Sequence, residues 1–277
     1  MTALPQPNDA FDWAQASAGP ALVCRPLADI ATHLFTTRAW ALGSGPQVDD
    51  AEPWADVAIA LRCDAGRLVR VRQVHGADVL VAREASGLCP EADIIVSGNP
   101  ALALAVAAAD CVPLLIADRR NGAVAAAHAG WRGTAAGVAG AAVAALAREF
   151  GCRPGDLTAA AGPSIGACCY EVGVDVRDRF IRAGFAGADL DRWFKPSPAP
   201  TPANPSMPRV APRPGHWFFD AWAATRDQLA AAGLPRSQIF IAELCTASHP
   251  GALCSYRRDG APAGRLAGAI RPGRPRP

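Results

Sequence analysis

The chain has one lysine (Lys195), two methionines (Met1 and Met207), two tyrosines and five histidines in 277 residues. Each scarcity excludes something. Five imidazoles cannot furnish a multicopper centre. A blue-copper site needs a weak axial methionine beside its two histidines and cysteine, and the only internal methionine, Met207, lies in a proline-rich stretch. The net charge of +2 provides no field to attract nucleic acid or an anionic membrane. Nearly all basic residues are arginine, a compositional bias, so no arginine is a phosphate ligand merely for being arginine. No C-x-x-C pair occurs among the nine cysteines, and their odd number and irregular spacing argue against a disulfide framework. Most should be small buried hydrophobes. The first basic residue is Arg25, and no apolar stretch of a signal peptide follows Met1. The most apolar run, Ala101–Ala109, stops at Asp110 and is too short to span a bilayer. These absences lead us to expect a soluble, cytoplasmic protein with neither nucleic-acid nor membrane partners.

What is present is a chain 51% hydrophobic, enough for a sizeable core. Residues 1–20, with Pro5, Pro7, Gly19 and Pro20 and little periodicity, read as a loosely ordered N-terminal arm. Asp56–Cys63, Leu68–Arg72 and Asp78–Arg83 read as short strands between turn signals. Glu91–Ser97, Ala101–Ala108, Val112–Asp118 and Ala123–His128 are more continuous apolar runs, the pattern of strands covered on both faces. Asn121-Gly122 marks a hairpin. A helix fits Thr134–Phe150, with Val138, Ala142, Leu146 and Phe150 on one face and Gly151 as its stop. Leu157–Ala161 reads as a strand, Val174–Ala183 as a helix, and Asp220 can cap a helix through Ala232. Order returns at His216–Phe219, and Gln238–Cys245 is a late strand. Residues 195–215 hold prolines at 196, 198, 200, 202, 205, 208, 212 and 214, too dense for a helix or strand interior, and read as an exposed insert. The expectation is an α+β fold with mixed sheets: one catalytic domain over 21–270 carrying that insert, and a frayed tail at 271–277.

Three separate segments each place a metal-type ligand beside a small residue or a turn: Gln73-Val74-His75-Gly76, Ala109-Asp110-Cys111-Val112-Pro113 and His128-Ala129-Gly130-Trp131-Arg132-Gly133. Two imidazoles and one thiolate form a set that zinc accepts, with a fourth position left for water or substrate. Alone, each has a plainer reading: a surface histidine after a strand, or a cysteine filling the core. Together, all three fall at strand ends, with Gly76, Gly130 and Gly133 clearing space. A fourth ligand from Cys245, His249 or His216 would instead close the site and make it structural.

Asp110 ends an alanine-rich run, where an unpaired carboxylate is costly. It could orient a ligand imidazole, accept a substrate hydroxyl, move a proton, or pair with an arginine such as Arg132. Trp131 could stack on a planar base or merely pack. Arg132 suits an oxyanion or phosphate, and equally an ion pair. Arg257 and Arg258 are donors in the segment Cys254–Gly260, which is followed by Gly264-Arg265; on an extended segment neighbours point oppositely, so at most one faces the site. The vicinal Cys168-Cys169 pair could be redox-active or simply packed.

Beyond these single residues, the strings Gln-Val-His-Gly (73–76), Ala-Asp-Cys-Val-Pro (109–113), His-Ala-Gly-Trp-Arg-Gly (128–133), Gly-Pro-Ser-Ile-Gly-Ala-Cys-Cys-Tyr-Glu-Val-Gly (162–173), Cys-Thr (245–246) and Ser-Tyr-Arg-Arg-Asp-Gly (255–260) resemble the laccase-domain purine nucleoside phosphorylase family. That family is also labelled multicopper polyphenol oxidase and peptidoglycan editing factor. The match runs in order from about His33 to Ile270. The resemblance implies a layered α/β/β/α fold and zinc held by His75, Cys111 and His128. It also implies phosphorolysis of adenosine, inosine, guanosine and methylthioadenosine, plus adenosine deamination. Its partners would be purine nucleosides and phosphate; monomer and homodimer both remain open. Copper at such a site would be adventitious. A Cys–His hydrolase editing peptidoglycan precursors, with Cys111 as nucleophile and His128 as base, is the alternative. The chain departs from the family at its amino-terminal segment, where His33-Leu34-Phe35-Thr36-Thr37-Arg38 lacks the usual glycine-rich turn after it, and in the proline-rich insert and Ala247–Leu253.

Overall fold

A computed structural model describes residues 3–44, 51–85, 87, 89–185, 187–208 and 210–273. In chain order the strands are β1 (Phe11–Ala16), β2 (Gly19–Cys24), β3 (Thr32–Thr36), β4 (Leu68–Val69), β5 (Val79–Val81), β6 (Ile94–Ser97), β7 (Ala103–Ala108), β8 (Val112–Asp118), β9 (Val124–Ala129), β10 (Leu157–Ala161), β11 (Glu171–Gly173), β12 (Phe194–Lys195), β13 (His216–Phe219), β14 (Ile239–Ile241) and β15 (Leu266–Arg271). The α-helices are α1 (Arg25–Ala28), α2 (Ala51–Ala60), α3 (Trp131–Ala135), α4 (Val138–Phe150), α5 (Val174–Arg182), α6 (Gly187–Trp193), α7 (Ala221–Ala231) and α8 (Tyr256–Asp259).

Two six-stranded sheets, β1-β2-β3-β15-β7-β4 and β14-β10-β8-β9-β6-β5, mix parallel and antiparallel pairs. The period-2 alternation of side chains explains how they stack. In β8, Leu114 and Ile116 face a core shared with α4 and α7, while Leu115 and Ala117 face the other sheet. In β7, Leu104 and Val106 point into that same inter-sheet core, while Ala103 and Ala105 meet Trp54, Val57 and Leu61 of the α2 region. Helix, sheet, sheet and helix therefore lie in four layers. The continuous apolar runs are continuous because β8 and β9 are buried on both faces. A smaller three-stranded sheet, β11-β13-β12, flanks them.

Several expectations are corrected. Residues 11–20, expected in a loose arm, belong with residues 21–24 to the β1–β2 hairpin at a sheet edge, with Phe11 and Leu22 buried. The segment expected as a strand from Asp56 is the second half of α2. Its buried Trp54, Val57, Ala58 and Leu61 follow a helical spacing that begins before the run considered. The single helix expected over Thr134–Phe150 is two, parted at Gly137, whose φ of 78° is left-handed. Gly151 does end the second in a left-handed turn. The proline-rich insert is tethered at its middle: Asn204 is buried, donates to the Glu243 carbonyl at 2.8 Å and accepts from the Cys245 N–H at 2.7 Å. Arg271 is the last residue of β15, and the rest of the expected tail beyond 273 lies outside the described residues. Among the described residues, no helix is long and apolar enough to cross a membrane.

Candidate metal centre and cavity

The three candidate ligand residues meet where the two sheets end together. His75 sits in a turn after β4, with a left-handed φ of 62° that a non-glycine residue adopts only when held there. Two devices hold it. Gln73 bridges to β7 through both amide atoms, accepting from Ala107 N–H at 2.7 Å and donating to its carbonyl at 2.8 Å. The backbone N–H groups of Val74, His75 and Gly76 converge on the Asp93 carboxylate at 3.2, 3.0 and 2.6 Å. His128, near the end of β9, pairs across the ladder with Pro113 of β8, which puts it beside Cys111. Its Nδ1 lies 2.8 Å from the same Asp93 carboxylate, leaving Nε2 for the centre.

The candidate ligand atoms of His75, Cys111 and His128 all lie within 4.8 Å of one another, and the two imidazoles cross edge to face with centroids 4.8 Å apart. Bonds of about 2.0–2.3 Å to a tetrahedral ion would put such atoms about 3.4–3.6 Å apart, so the trio needs little movement to fit one. Space is made by Gly130: a Cβ there would come within 3.0 Å of both Cys111 Sγ and a His75 ring carbon. At Gly133 a Cβ would meet the Gly76 carbonyl at 2.7 Å, so the loop carrying His75 can approach only a glycine.

Electrostatics agree with the geometry. Burial works against ionising Cys111, but the neighbouring His128 and His75 outweigh it and draw the thiol below its usual range. Burial likewise opposes a charge on His128, and the Cys111 thiolate and Asp93 overcome it and raise the imidazole's proton affinity. Asp93 is fully buried, yet its hydrogen bonds from His128, Gly76 and Val74 keep it below the ordinary carboxylate range. A metal bound there would itself supply the counter-charge to a Cys111 thiolate.

A cavity of about 450 Å³ opens onto the trio. Asp110, Trp131, Arg132 and Arg257, all singled out in the sequence, line it, together with Arg70, Tyr170, Tyr256 and Arg265. Arg132 stacks on Trp131 at 4.3 Å and Arg257 on Tyr170 at 5.3 Å, so each guanidinium is braced by a ring. Asp110, with a left-handed φ of 89°, accepts from Thr246 Oγ1 and from the Arg257 N–H, both at 2.6 Å. Burial raises its proton affinity despite those bonds.

Three site readings need correction. Asp93, not Asp110, braces the ligand imidazole; nor does Asp110 pair with Arg132, because both its oxygens are engaged by Thr246 and Arg257 N–H. Arg258 does not line the cavity. Its guanidinium is spent on the carbonyls of Thr246, Ala247 and Leu253 and on Asp259. Cys245, His249 and His216 do not close the trio: Cys245 sits with Cys168 and Cys169, His249 faces Asn204, and His216 Nδ1 faces the Pro214 carbonyl. Asp93 was legible by the argument applied to Asp110, since it too is a carboxylate next to a fully apolar strand, Ile94–Val96.

A family model described as multi-copper polyphenol oxidoreductase laccase matches residues 47–272. The chain belongs to that family. Among its relatives, a purine nucleoside phosphorylase of Deinococcus radiodurans is 35% identical over 84% of this chain and 86% of its own length. One from Bacteroides thetaiotaomicron is 34% identical over 73% of this chain, which spans 63% of that relative. The crystal structure of Bacillus licheniformis hypothetical protein YfiH superposes with a TM-score of 0.79 at 28% identity, covering 95% of this chain and 99% of the other. YlmD from Geobacillus stearothermophilus superposes with a TM-score of 0.78 at 29% identity, over 94% and 98%. The two solved structures share the fold; the family's copper label sits beside a trio with only two imidazoles.

Proposed function

We propose that this chain is a zinc-dependent purine nucleoside phosphorylase. It would split adenosine, inosine, guanosine or methylthioadenosine with phosphate into base and (methylthio)ribose 1-phosphate, and deaminate adenosine in the same cavity. The observation that carries the reading is the His75–Cys111–His128 trio opening onto a cavity braced by arginines and aromatic rings. The relatives named purine nucleoside phosphorylase support it.

Zinc held by the trio would supply a Lewis acid with one exchangeable position. The remaining work falls to the side chains. The cavity volume lies within the roughly 300–1,000 Å³ of small-molecule sites, and its ring faces suit a planar purine. Arg132 and Arg257 present guanidiniums to phosphate, and their stacking on Trp131 and Tyr170 lowers the entropy lost in binding it. Asp110 faces the same space with raised proton affinity, which suits a group that holds a ribose hydroxyl or moves a proton as the glycosidic bond breaks.

Product analysis tests this. Purified protein given adenosine should release adenine and ribose 1-phosphate only with phosphate present, and inosine plus ammonia with or without it. His75→Ala should abolish both. Deamination retained in that variant would place it at another site; no base release from any of the four nucleosides would end the proposal.

One observation favours a second reading. Cys111, His128 and Asp93 also form a thiol–imidazole–carboxylate line, the arrangement of a cysteine hydrolase, consistent with an amidase editing peptidoglycan precursors. Iodoacetamide separates the two: a zinc-ligated Cys111 is protected until chelator is added, whereas a nucleophile is labelled either way.

A further inference from the structure

A second thiol cluster lies behind the cavity, apart from the trio just described. Cys168 and Cys169 come from the loop after β10, and Cys245 from the segment after β14. All three are buried, with sulfur atoms mutually within 4.8 Å. Ile165 and Ala247 pack around them, with Met207 of the proline-rich insert and Trp222 against the cluster. None of the nine cysteines is in a disulfide.

Packing alone does not explain how polar groups are aimed at these sulfurs. The Gly166 N–H donates to Cys245 Sγ at 3.3 Å, and the Met207 N–H donates to Cys169 Sγ at 3.3 Å. The Ser248 hydroxyl donates to the Pro205 carbonyl at 2.6 Å and lies 3.6 Å from Cys168 Sγ and 3.7 Å from Cys169 Sγ, where its oxygen can accept from the thiols until an ion replaces their protons. Buried backbone donors are costly to leave unmet, and a neutral thiol is a poor acceptor for them. Donors turned towards sulfur are what a thiolate needs, as around metal-bound cysteines.

We propose that Cys168, Cys169 and Cys245 form a trithiolate site for one soft, thiophilic metal ion, Cu(I) in preference to Zn(II). Metal–sulfur bonds of about 2.3 Å in a trigonal plane set the sulfurs about 4 Å apart, inside the 4.8 Å within which all three already lie. Softness selects the ion: three sulfurs with no nitrogen or oxygen ligand favour Cu(I), whereas a closed structural zinc site takes four ligands. Among the described residues no fourth histidine, cysteine or carboxylate joins the group. Loading would release the thiol protons.

The ion would tie three stretches of chain together at the back of the cavity. Cys245 precedes Thr246, whose hydroxyl holds Asp110, and Cys169 precedes Tyr170 of the cavity wall. Met207 brings in the insert through its N–H. The inference does not depend on the reading of the His75 trio.

The test is Cu(I) titration of the reduced full-length protein against a competing Cu(I) chelator, under anaerobic conditions. The His75→Ala variant, in which the other centre is crippled, should hold one equivalent of Cu(I) with the thiolate-to-copper ultraviolet band. X-ray absorption should find a shell of three sulfurs, and loading should raise Tm because only the folded state assembles the site. Cys245→Ser should lose that equivalent, as should Cys168→Ser and Cys169→Ser, so failure of one variant to fold leaves the others as tests. A mixed nitrogen–sulfur shell in the His75→Ala protein, Cu(I) retained in all three serine variants, tighter retention of Zn(II) than Cu(I), or a disulfide within the trio after reduction would each overturn the proposal.

Discussion

Replacing Asp93 with asparagine separates its role from that of Asp110, the other buried aspartate at the site. Asp93 receives four hydrogen bonds, from the Nδ1 of His128 and from the N–H groups of residues 74, 75 and 76. It therefore orients two of the three candidate ligands, one through its ring and one through its backbone. An asparagine keeps one acceptor oxygen and turns an NH₂ towards donors, so at least one buried N–H loses its partner. Loss of a group that orients a metal ligand lowers metal affinity by about 10- to 100-fold, or about 1.4–2.7 kcal/mol. Leaving a buried donor unmet costs a further ~1–3 kcal/mol of folding stability. Asp110 bonds Thr246 and Arg257 and touches neither imidazole, so Asp110→Asn should leave metal affinity within about threefold of wild type while turnover collapses. Competition against a fluorescent zinc chelator measures the affinity, and urea unfolding of the metal-free proteins measures the stability. Wild-type zinc affinity in Asp93→Asn, or an equal loss in Asp110→Asn, would refute the assignment.

Three further outcomes follow from the same structure. In Gly130→Ala, the added methyl lies 3.0 Å from Cys111 Sγ and a His75 ring carbon, so the purified variant should keep its circular dichroism but carry little metal by elemental analysis. Arg258→Ala should lose about 2–3 kcal/mol of stability by removing a half-buried guanidinium that bonds three carbonyls and Asp259, whereas Arg257→Ala gives up one exposed bond to the Glu171 carbonyl and should lose no more than about 1 kcal/mol while showing a raised KM for phosphate. His33 sets a pH dependence. Burial first of all holds its imidazole down, from its ordinary 6.5 to about 4, and its Nε2 must stay unprotonated to accept the Cys24 N–H at 2.9 Å. Unfolded chains take up this proton below about pH 6.5 and folded ones only near pH 4, so its contribution is whole above 6.5 and lost as pH falls through that window. The loss comes to about 3 kcal/mol at about 1.4 kcal/mol per pKa unit. Denaturation curves from about pH 7 to 4 should show that slope in wild type and lack it in His33→Gln.

Much of this protein was legible because its signals are local. The runs at 94–97, 103–108, 112–118 and 124–129 are strands as their composition demands, since a segment buried on both faces must be apolar throughout. Gly151 stops α4 and Asp220 caps α7, accepting from the Ala223 N–H at 2.9 Å, because such ends are settled within one turn. Local signals also misled where a neighbour decides. The β1–β2 hairpin looks weak by itself and is stabilised by pairing with β3. The first half of α2 escaped notice because its buried face shows only against Ala103, Ala105 and Ala267 of the sheet.

By itself, the sequence determined the ligand types, the glycines beside them and the alternation that makes two-sided strands, all properties of residues and their nearest neighbours. Only the tertiary structure decided that Asp93 rather than Asp110 grips the imidazole, that Arg257 faces the cavity while Arg258 is consumed by carbonyls, and that Cys245 joins Cys168 and Cys169 instead of closing the first centre. Those choices depend on which side chains the packing of two sheets brings within hydrogen-bond reach, a distance that carries no trace in the spacing of residues along the chain.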